Sequence, residues 1–290
     1  MTDQQTLPGT EQHECQCYDP LLKWAGGKRW LAPSIGPAIS AYLEKTGGYY
    51  IEPFVGGGAV AFYMARPKMV LTDRCEPLIA TYTAVRDDPY RVSTTLREFE
   101  RHYTGEDGYY ALRDRFQKND IVSLATRVIY LNKRGFNGMY RENRSGHFNV
   151  PYGKKDRALP GQEMIRSVAA ALFGVELASM DFEGVVDGAG PDDLIFADPP
   201  YDDTFGNYVA GGFSREDQIR LAQTLHRAVQ RGAAVITTNA DTELVRSLYG
   251  PWCWLLPTAE RRNINSDGAG REPVPCLLMT THEQFVRNGG

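Results

Sequence analysis

The chain has 290 residues, of which 42% are hydrophobic and 23% are charged, and its formal net charge at neutral pH is −4. This length allows one large domain or two smaller ones, and the composition is that of an ordinary globular protein. No apolar run is long enough to span a membrane, and the N-terminus is polar and acidic, unlike a signal peptide. We therefore expect a cytoplasmic protein.

The distribution of cysteine, histidine and charge excludes several kinds of site. The five cysteines lack paired CxxC spacing and the five histidines lack the spacing of metal ligands, so we expect neither a disulfide framework nor a metal site. The negative net charge excludes a uniformly basic coat for nucleic acid. Residues 132–157 nevertheless carry seven basic and two acidic side chains, a local net charge of +5. An anion-binding surface is therefore expected to be local.

Strands and helices alternate in the first part of the chain. Residues 1–20 are predicted to be a disordered extension, and a glycine-rich loop then leads into a helix predicted over residues 32–43. The segment "YYIEPFVGGGAVAFYMA" predicts a strand, a glycine turn and a helix, and the following segment repeats this order with a strand that ends at Asp73. The alternation predicts an α/β fold of the Rossmann type, with a mostly parallel sheet and helices on both faces.

The pattern changes over residues 89–157, which are predicted to form an inserted, mainly helical region that ends in a hairpin. The end of this region, "LNKRGFNGMYRENRSGHFNVPYGKK", is rich in Gly, Asn and Arg. The α/β pattern then returns, so the sheet domain is predicted to comprise residues 21–88 and 158–290. Its later helices are predicted near residues 162–172 and 215–230, and its later strands near residues 175–181, 194–197, 252–256 and 275–280 and in "AAVITTN".

The first chemical motif is the glycine turn "EPFVGGGAV". Glycines after a strand allow a sharp turn and the close approach of a ligand at a helix N-terminus, although a plain strand-to-helix connection has the same pattern. Asp73 ends the next strand, where nucleotide-binding folds place a carboxylate on ribose hydroxyls. The turn lacks the GxGxxG pattern, and Glu52 would repel a pyrophosphate. A cationic nucleoside such as S-adenosylmethionine therefore fits these residues better than NAD.

The second motif is "DPPY", which directly follows the apolar run "LIFA". Pro199 and Pro200 fix the backbone and remove two amide donors, so this corner offers a carboxylate, carbonyl oxygens and an aromatic face. An exocyclic amine on a planar base complements such a set of groups. A rigid turn with an exposed tyrosine is the simpler alternative.

The remaining candidate segments have two interpretations each. In "LLKWAGGK", Trp24 fits either an adenine or the core, and Lys28 is suited to pairing with a carboxylate, but the segment alone is more typical of a loop. In the basic region, arginines interleaved with aromatic residues fit guanine and phosphate contacts in the major groove, and a solvated charged loop is the alternative.

The chain resembles the Dam-like family of adenine-specific DNA methyltransferases over residues 21–280. The resemblance rests on "LLKWAGGK", "EPFVGGGAV", "LNKRGFNGMYRENRSGHFNVPYG", "DPPY" and "RRNINSDGAGR", in that order. It implies a Rossmann-like methyltransferase sheet, with residues 89–157 as the DNA target-recognition domain. It also implies S-adenosylmethionine as cofactor, double-stranded DNA as partner, and N6-methyladenine as product, with a GATC-type target.

The resemblance further implies roles for individual residues. The catalytic positions would be Asp198, Pro199, Pro200 and Tyr201. The cofactor-binding positions would be Trp24, Lys28, Glu52, Phe54, Val55, Gly56, Gly58, Asp73 and Asp198. The DNA-binding positions would be Lys23, Arg134, Phe136, Asn137, Met139, Arg141, Asn143, Pro151, Lys154, Lys155, Arg261 and Arg262. Among these, Phe136 and Asn137 would probe the base stack, and Arg141 would read a guanine.

The expected reaction is direct methyl transfer to the amine of an adenine turned out of the duplex, with Asp198 and the Pro199 carbonyl as acceptors and Tyr201 stacked on the base. Other targets of the same chemistry are a different DNA sequence, RNA or a protein glutamine. A DNA-binding protein without catalysis is the alternative from another class. A cognate restriction nuclease is a further possible partner. The segment "DDTFGNYVAGGF" departs from the family, since it is shorter and richer in glycine than the usual linker.

Overall fold

The computed structural model describes residues 20–115, 120–143, 145–202, 213–260 and 274–285. The extension predicted over residues 1–20 lies outside these ranges except for its last residue. The predicted DNA contacts Arg261 and Arg262 and most of the segment after DPPY also lie outside them.

Seven strands of the described chain form one sheet, in the order β3-β2-β1-β4-β5-β7-β6. Neighbouring strands from β3 to β5 are parallel, whereas β7 is antiparallel to both β5 and β6. The strands are β1 (Tyr50–Glu52), β2 (Met69–Asp73), β3 (Glu176–Ser179), β4 (Leu194–Ala197), β5 (Ala234–Ala240), β6 (Trp254–Glu260) and β7 (Val274–Thr280). The predicted mostly parallel α/β sheet of the Rossmann type is confirmed.

Helices cover both faces of this sheet. They are α1 (Ala32–Thr46), α2 (Ala59–Met64), α3 (Glu76–Asp87), α4 (Pro89–His102), α5 (Gly105–Arg115), α6 (Ile121–Arg134), α7 (Gln162–Ala171), α8 (Phe182–Asp187), α9 (Arg215–Gln230) and α10 (Glu243–Tyr249). Alternate residues of one strand belong to different core clusters: Leu194 and Phe196 pack with α1, α3 and α7, whereas Ile195 packs with α8, α9 and α10. Because strand side chains alternate, the two clusters lie on opposite faces of the sheet.

The inserted region begins with three helices, α4, α5 and α6. Val128 and Ile129 of α6 join the main core that also contains Leu78 of α3, so this helix packs directly on the sheet domain. A second, smaller cluster is aromatic and lies within the insertion itself, with Tyr109 and Tyr130 among its members. The insertion therefore has a small core of its own and shares the larger one.

The end of the insertion folds back on itself, as the predicted hairpin requires. Short antiparallel bridges join Gly135 to Tyr152 and Glu142 to Phe148. These bridges place the Gly- and Asn-rich segment on the side of α6 where that helix ends. No helix in the described part of the chain is both long enough and apolar enough to cross a bilayer.

Candidate active site

The candidate site lies where the strand order of the sheet reverses. The chain proceeds from β1 outward to β2 on one side, and β4 pairs with the other side of β1, with Ile51 opposite Ile195. Ligands of open α/β sheets bind at the carboxyl ends of the strands at such a reversal. Glu52 ends β1 and Asp198 directly follows β4, so the two predicted motifs meet at this edge.

The glycine turn after β1 is built from residues with left-handed backbone. Gly56 and Gly58 have φ angles of 46° and 66°, a region that side-chain-bearing residues rarely adopt. A Cβ atom on Gly56 would lie 2.9 Å from the Trp24 ring, and one on Gly58 would lie 2.6 Å from Phe62. Glycine at these two positions is therefore required both by the backbone and by the close approach of aromatic rings.

Asp73 at the end of β2 holds this turn in place. Its two carboxylate oxygens accept hydrogen bonds from the backbone N–H groups of Gly56 and Cys75, at 3.0 and 2.9 Å. Burial raises the pKa of Asp73, and these backbone donors lower it. The Tyr82 hydroxyl donates to the Gly56 carbonyl at 2.7 Å. The turn that is predicted to hold a cofactor is thus fixed from both sides.

Glu52 is a buried carboxyl beneath the site. It is 3% exposed, and the Tyr50 hydroxyl donates to its Oε2 at 2.8 Å. Burial raises the pKa of Glu52 well above its ordinary value, and the negative charges of Asp198 and Asp73 raise it further. Three carboxyl groups therefore converge on one edge of the sheet, and a positively charged ligand there would offset the negative charge of Asp73 and Asp198.

Asp198 is paired with Lys28. The Lys28 ammonium lies 3.0 Å from Asp198 Oδ1 and donates to the Gly26 carbonyl at 2.5 Å. The Thr238 hydroxyl, from β5, donates to the same Oδ1 at 2.5 Å. The ammonium also lies 4.7 Å from the centre of the Tyr201 ring, over its face. Neither of these two contacts with Asp198 involves Oδ2.

The other predicted cofactor residues surround the turn in different ways. Val55 is buried, and its N–H donates to the Thr72 carbonyl of β2 at 2.9 Å. The Phe54 ring turns to the opposite face of the sheet, where it packs against Phe182 and Phe213. Since the side chain of Phe54 is occupied there, its backbone is the part of the residue that remains for the turn.

Lys23 of the sheet domain lies against the inserted region, residues 89–157. Asn132, buried near the end of α6, accepts a bond from the Lys23 N–H at 3.0 Å and donates to the Lys23 carbonyl at 2.7 Å. The same Asn132 amide donates to the Gly138 carbonyl at 3.0 Å. A Cβ on Gly138 would lie 2.8 Å from the Lys23 side chain. One buried asparagine thus joins Lys23 to the FNG turn, residues 136–138.

The predicted base-probing residues lie on this turn. Phe136 has an exposed ring, and its N–H donates to the Pro151 carbonyl at 2.8 Å. Asn137 has a left-handed backbone with φ of 53°, and Met139 is half-buried beside it. The structure therefore brings Lys23, Phe136, Asn137 and the exposed Pro151 to one surface.

Arg141 and Asn143 lie in the hairpin next to that surface, and both are exposed. The Arg141 Nε donates to the Asn149 side chain at 2.7 Å, across the hairpin. The Asn143 side chain accepts from the N–H groups of Ser145 and His147, so it closes the turn of the hairpin. Lys154 and Lys155 are both exposed just beyond the hairpin.

Arg134 does not lie on the surface, so its prediction as a DNA contact requires correction. The side chain is 3% exposed and donates to the Tyr103 carbonyl at 2.8 Å. Its guanidinium lies 4.9 Å from the Tyr130 ring centre and 3.3 Å from Asp156. These contacts hold the insertion together. Arg134 is buried because the last turn of α6 faces the aromatic cluster, which the density of charge in the sequence did not reveal.

Comparison with known proteins decides the family. The family model described as D12 class N6 adenine-specific DNA methyltransferase matches residues 24–264, which include the glycine turn, the inserted region and DPPY. The chain belongs to this family. Its members act on the N6 position of adenine in DNA, so the protein is a DNA adenine-N6 methyltransferase, and the Dam-like resemblance is confirmed.

Relatives in this family match nearly the whole chain. The type II methyltransferase M1.LlaDCHI of Lactococcus lactis subsp. cremoris is 34% identical, covering 91% of this chain and 95% of that relative. The type II methyltransferase M.MjaIII of Methanocaldococcus jannaschii is 35% identical, covering 87% and 95%. The DNA adenine methylase of Escherichia coli K12 is 34% identical, covering 89% and 93%.

Several residues of this candidate site were not predicted from the sequence. They are Asn132 behind Lys23, Thr238 beside Asp198, and the buried amides Gln218 and Asn239 behind DPPY. All of them act through side chains that become neighbours only when distant segments pack. The "TTN" end of the predicted strand was the one available signal, because polar residues at the carboxyl end of a buried parallel strand point to a site. In the described ranges, no three His, Cys, Asp or Glu side chains are grouped as metal ligands.

Proposed function

We propose that this enzyme uses S-adenosylmethionine to methylate an adenine that is turned out of double-stranded DNA, within a GATC site. The observation that carries the proposal is the cluster of Asp198, Lys28 and Tyr201 at the carboxyl end of β4, directly beside the glycine turn after β1. It combines a hydrogen-bond acceptor and an aromatic face with a separate position for a nucleoside.

The residues around the glycine turn suit S-adenosylmethionine. Asp73 places a carboxylate at the end of β2, the position suited to ribose hydroxyls, and Trp24 presses against the turn. The carboxylates of Asp73 and Asp198, which lie close to Glu52, favour the positive charge of the ligand. When bound, this cofactor supplies a methyl group on a sulfonium centre, which a neutral amine can accept.

The DPPY corner suits the adenine amine. Lys28 and Thr238 both engage Oδ1 of Asp198, which fixes the carboxylate and leaves Oδ2 as its oxygen for the substrate. With the Pro199 carbonyl it would accept the two amine N–H bonds, so that the nitrogen lone pair is freed from the ring. Pro200 adds no competing donor, and Tyr201 stacks on the base. The amine proton leaves after transfer, so no strong general base is required.

The surface that contains Lys23, Phe136, Asn137 and Pro151 is proposed to contact the target site, and Met139 supports it from the half-buried side. Arg141 is proposed to read a guanine in the major groove, since it is exposed on the hairpin and Asn149 holds its guanidinium through Nε. Asn143 shapes that hairpin, and Lys154 and Lys155 are proposed phosphate contacts. Arg261 and Arg262 stay proposed phosphate contacts on sequence grounds alone.

Methylation of a plasmid tests the proposed target. Plasmid treated with the protein and S-adenosylmethionine should become resistant to a nuclease that cuts only unmethylated GATC, and sensitive to one that cuts only GATC methylated on adenine. Mass spectrometry of the digested DNA should show N6-methyladenine. Incorporation of methyl groups without either change in cleavage would exclude GATC and leave the family activity intact.

Asp198→Ala should lower the methylation rate by at least about a hundredfold, because the main acceptor for the amine is removed. Circular dichroism and the unfolding temperature report whether the fold survives. Asp187→Ala, at the end of α8 and outside the glycine turn and DPPY, serves as the matched control. If the Asp198 variant incorporates tritiated methyl groups at a near-normal rate, the proposed mechanism is wrong.

The setting of the activity is proposed from the relatives alone. Two of the three relatives named above are type II methyltransferases, and such an assignment would give this enzyme a restriction nuclease of matching specificity. Extract of the source cells should then cut unmethylated plasmid and spare plasmid methylated by the protein. We propose that it acts in the cytoplasm, where bacterial and phage DNA is found.

A further inference from the structure

Two buried amide side chains lie directly behind the DPPY corner. Gln218 is in the first half of α9 and is 2% exposed, and Asn239 is near the end of β5 and is fully buried. A buried amide costs free energy unless its donors and acceptors are satisfied, so the partners of these two groups show what they are for.

The two amides form a chain of hydrogen bonds with a fixed direction. The Gln218 Nε2 donates to the Pro200 carbonyl at 2.8 Å, and the Asn239 Nδ2 donates to the Gln218 Oε1 at 2.9 Å. The Asn239 Oδ1 accepts from the Asp202 N–H at 2.9 Å. A backbone carbonyl only accepts and a backbone N–H only donates. The Pro200 carbonyl and the Asp202 N–H, at the two ends of this hydrogen-bond chain, therefore determine which side of each amide carries the oxygen and which the nitrogen.

This chain fixes the backbone on both sides of Tyr201. The Pro200 carbonyl belongs to the peptide group before Tyr201, and the Asp202 N–H belongs to the peptide group after it. The Asp202 carboxylate also accepts from the Thr242 hydroxyl at 2.7 Å. Pro199 and Pro200 have no N–H of their own to tie this segment to a neighbour, so side chains from α9 and β5 supply the connection.

We propose that Gln218 and Asn239 are positioning residues for methyl transfer, which set the orientation of Tyr201 and of the acceptors in DPPY. The proposal rests on the proposed role of Tyr201 as the surface on which the adenine stacks. An amide suits this position since it donates and accepts without charge, whereas a carboxylate at 218 would face the Pro200 carbonyl with negative charge. A small rotation of Tyr201 would displace the amine from its line of attack.

Gln218→Glu tests the proposal with almost no change in shape. At pH 8.5 the ionised side chain cannot donate to Pro200, and we expect single-turnover methylation about tenfold slower than in the parent enzyme. The KM for S-adenosylmethionine should stay within about twofold, because the hydrogen bonds of Gln218 go to Pro200 and Asn239 and not to the glycine turn. Gln223→Glu makes the same change at an exposed position of α9 and should leave the rate unchanged.

The pH profile separates positioning from a merely structural role. As the pH falls, the carboxyl group introduced by Gln218→Glu gains a proton and can again donate to Pro200 while it accepts from Asn239. The rate deficit against the parent enzyme should therefore shrink between pH 8.5 and about pH 6. The Gln223→Glu variant should show no such recovery. Assays are run well below the unfolding temperature of each variant.

Other outcomes overturn specific claims. A Gln218→Glu enzyme that unfolds more easily but methylates at the parent rate when folded at pH 8.5 would overturn the positioning role. Asn239→Asp is the second variant: it keeps the acceptor for Asp202 and loses the donor to Gln218, so it too should slow methylation at unchanged cofactor KM. Failure of the parent enzyme itself to methylate DNA would contradict the proposed function instead, which the plasmid assay detects separately.

Discussion

At the scale of single residues, the positive charge of Lys28 allows a carboxylate to be placed in an already acidic site. Its side chain is 3% exposed, yet the ammonium has the Gly26 carbonyl, the Asp198 carboxylate and the face of Tyr201 around it. A buried charge is tolerated only when it is paired and hydrogen-bonded in this way. The positive charge of Lys28 offsets the negative charge of Asp198 close to Glu52 and Asp73. Asp198 can therefore serve as an acceptor beside two other carboxyl groups.

Glu52→Gln should stabilise the fold at alkaline pH. Because the folded-state pKa of Glu52 is raised, the folded protein holds a proton that the unfolded chain releases above about pH 4.3. Stability from this group is thus complete at lower pH and is lost as the pH rises through the raised pKa. Urea unfolding between about pH 5 and pH 9 should show a smaller loss for Glu52→Gln than for the parent protein.

The control for this experiment is Glu44→Gln on the exposed side of α1, which should follow the parent curve. Identical pH curves for the parent protein and Glu52→Gln would contradict the raised pKa.

Arg141→Ala should relax discrimination at one base pair of the target by about 1–3 kcal/mol, the usual contribution of a bidentate arginine contact to guanine. Methylation rates on a panel of duplexes, each with one altered base pair, measure this loss. Arg166→Ala, exposed on α7, controls for the loss of one positive charge. Uniformly slower methylation of all duplexes would show instead that Arg141 contacts phosphate.

At the scale of elements, the end of α6 links the two parts of the enzyme. The capping box of Asp120 and Ser123 begins this helix, and Asn132 in its last turn binds Lys23 and the FNG turn. Val128 and Ile129 of the same helix pack in the main core. A single helix therefore sets the position of the predicted base-probing residues relative to the catalytic edge of the sheet.

Asn132→Asp should weaken this link. The variant keeps the acceptor for the Lys23 N–H but loses the donors to the carbonyls of Lys23 and Gly138, which we expect to lower the free energy of unfolding by about 1–3 kcal/mol. The KM for DNA should rise while the affinity for S-adenosylmethionine stays constant, and a filter-binding assay with calorimetry measures both. Equal loss of DNA and cofactor binding would show general disruption of the fold.

Most elements were predictable because their patterns are local, and the exceptions are short. The strand ending at Asp73 and the helix from residue 215 follow directly from periodicity and caps. The helices α8 and α10 have six and seven residues, too few to show a period, and are recognisable mainly by their caps Asp181 and Thr242. The glycine turn and DPPY could be placed at one edge from the strand order expected of the fold. The burial of Arg134 could not be predicted, because sequence does not show which face of α6 meets the aromatic cluster.

At the scale of the whole molecule, a cluster of positive charge lies in the predicted recognition region, residues 89–157, although the chain is net negative. Partial burial lowers the pKa of Lys23, and repulsion from the positive charge of Arg157 lowers it further. DNA would relieve that repulsion. The overall negative charge, in contrast, disfavours binding of DNA elsewhere on the surface.

DNA affinity should therefore depend on salt through the residues of this region. A plot of log affinity against log salt concentration should be steep, and Lys155→Ala should reduce its slope by about 1 while weakening all DNA sequences alike. Lys45→Ala, in the last turn of α1 and outside the recognition region, should leave the slope unchanged. Equal slopes for Lys155→Ala and the parent protein would remove Lys155 from the proposed phosphate contacts.

The pairing of β1 with β4 has a consequence for how the enzyme folds during its synthesis. The glycine turn is synthesised early, but its neighbour strand β4 emerges from the ribosome only after the entire inserted region, and Asn239 emerges later still. An incomplete chain therefore cannot have both the predicted cofactor site at the glycine turn and the predicted adenine site at DPPY. A chain cut within the insertion should give two fragments that are each inactive. Methylation of DNA by the mixture would then show that the fragments had reassociated.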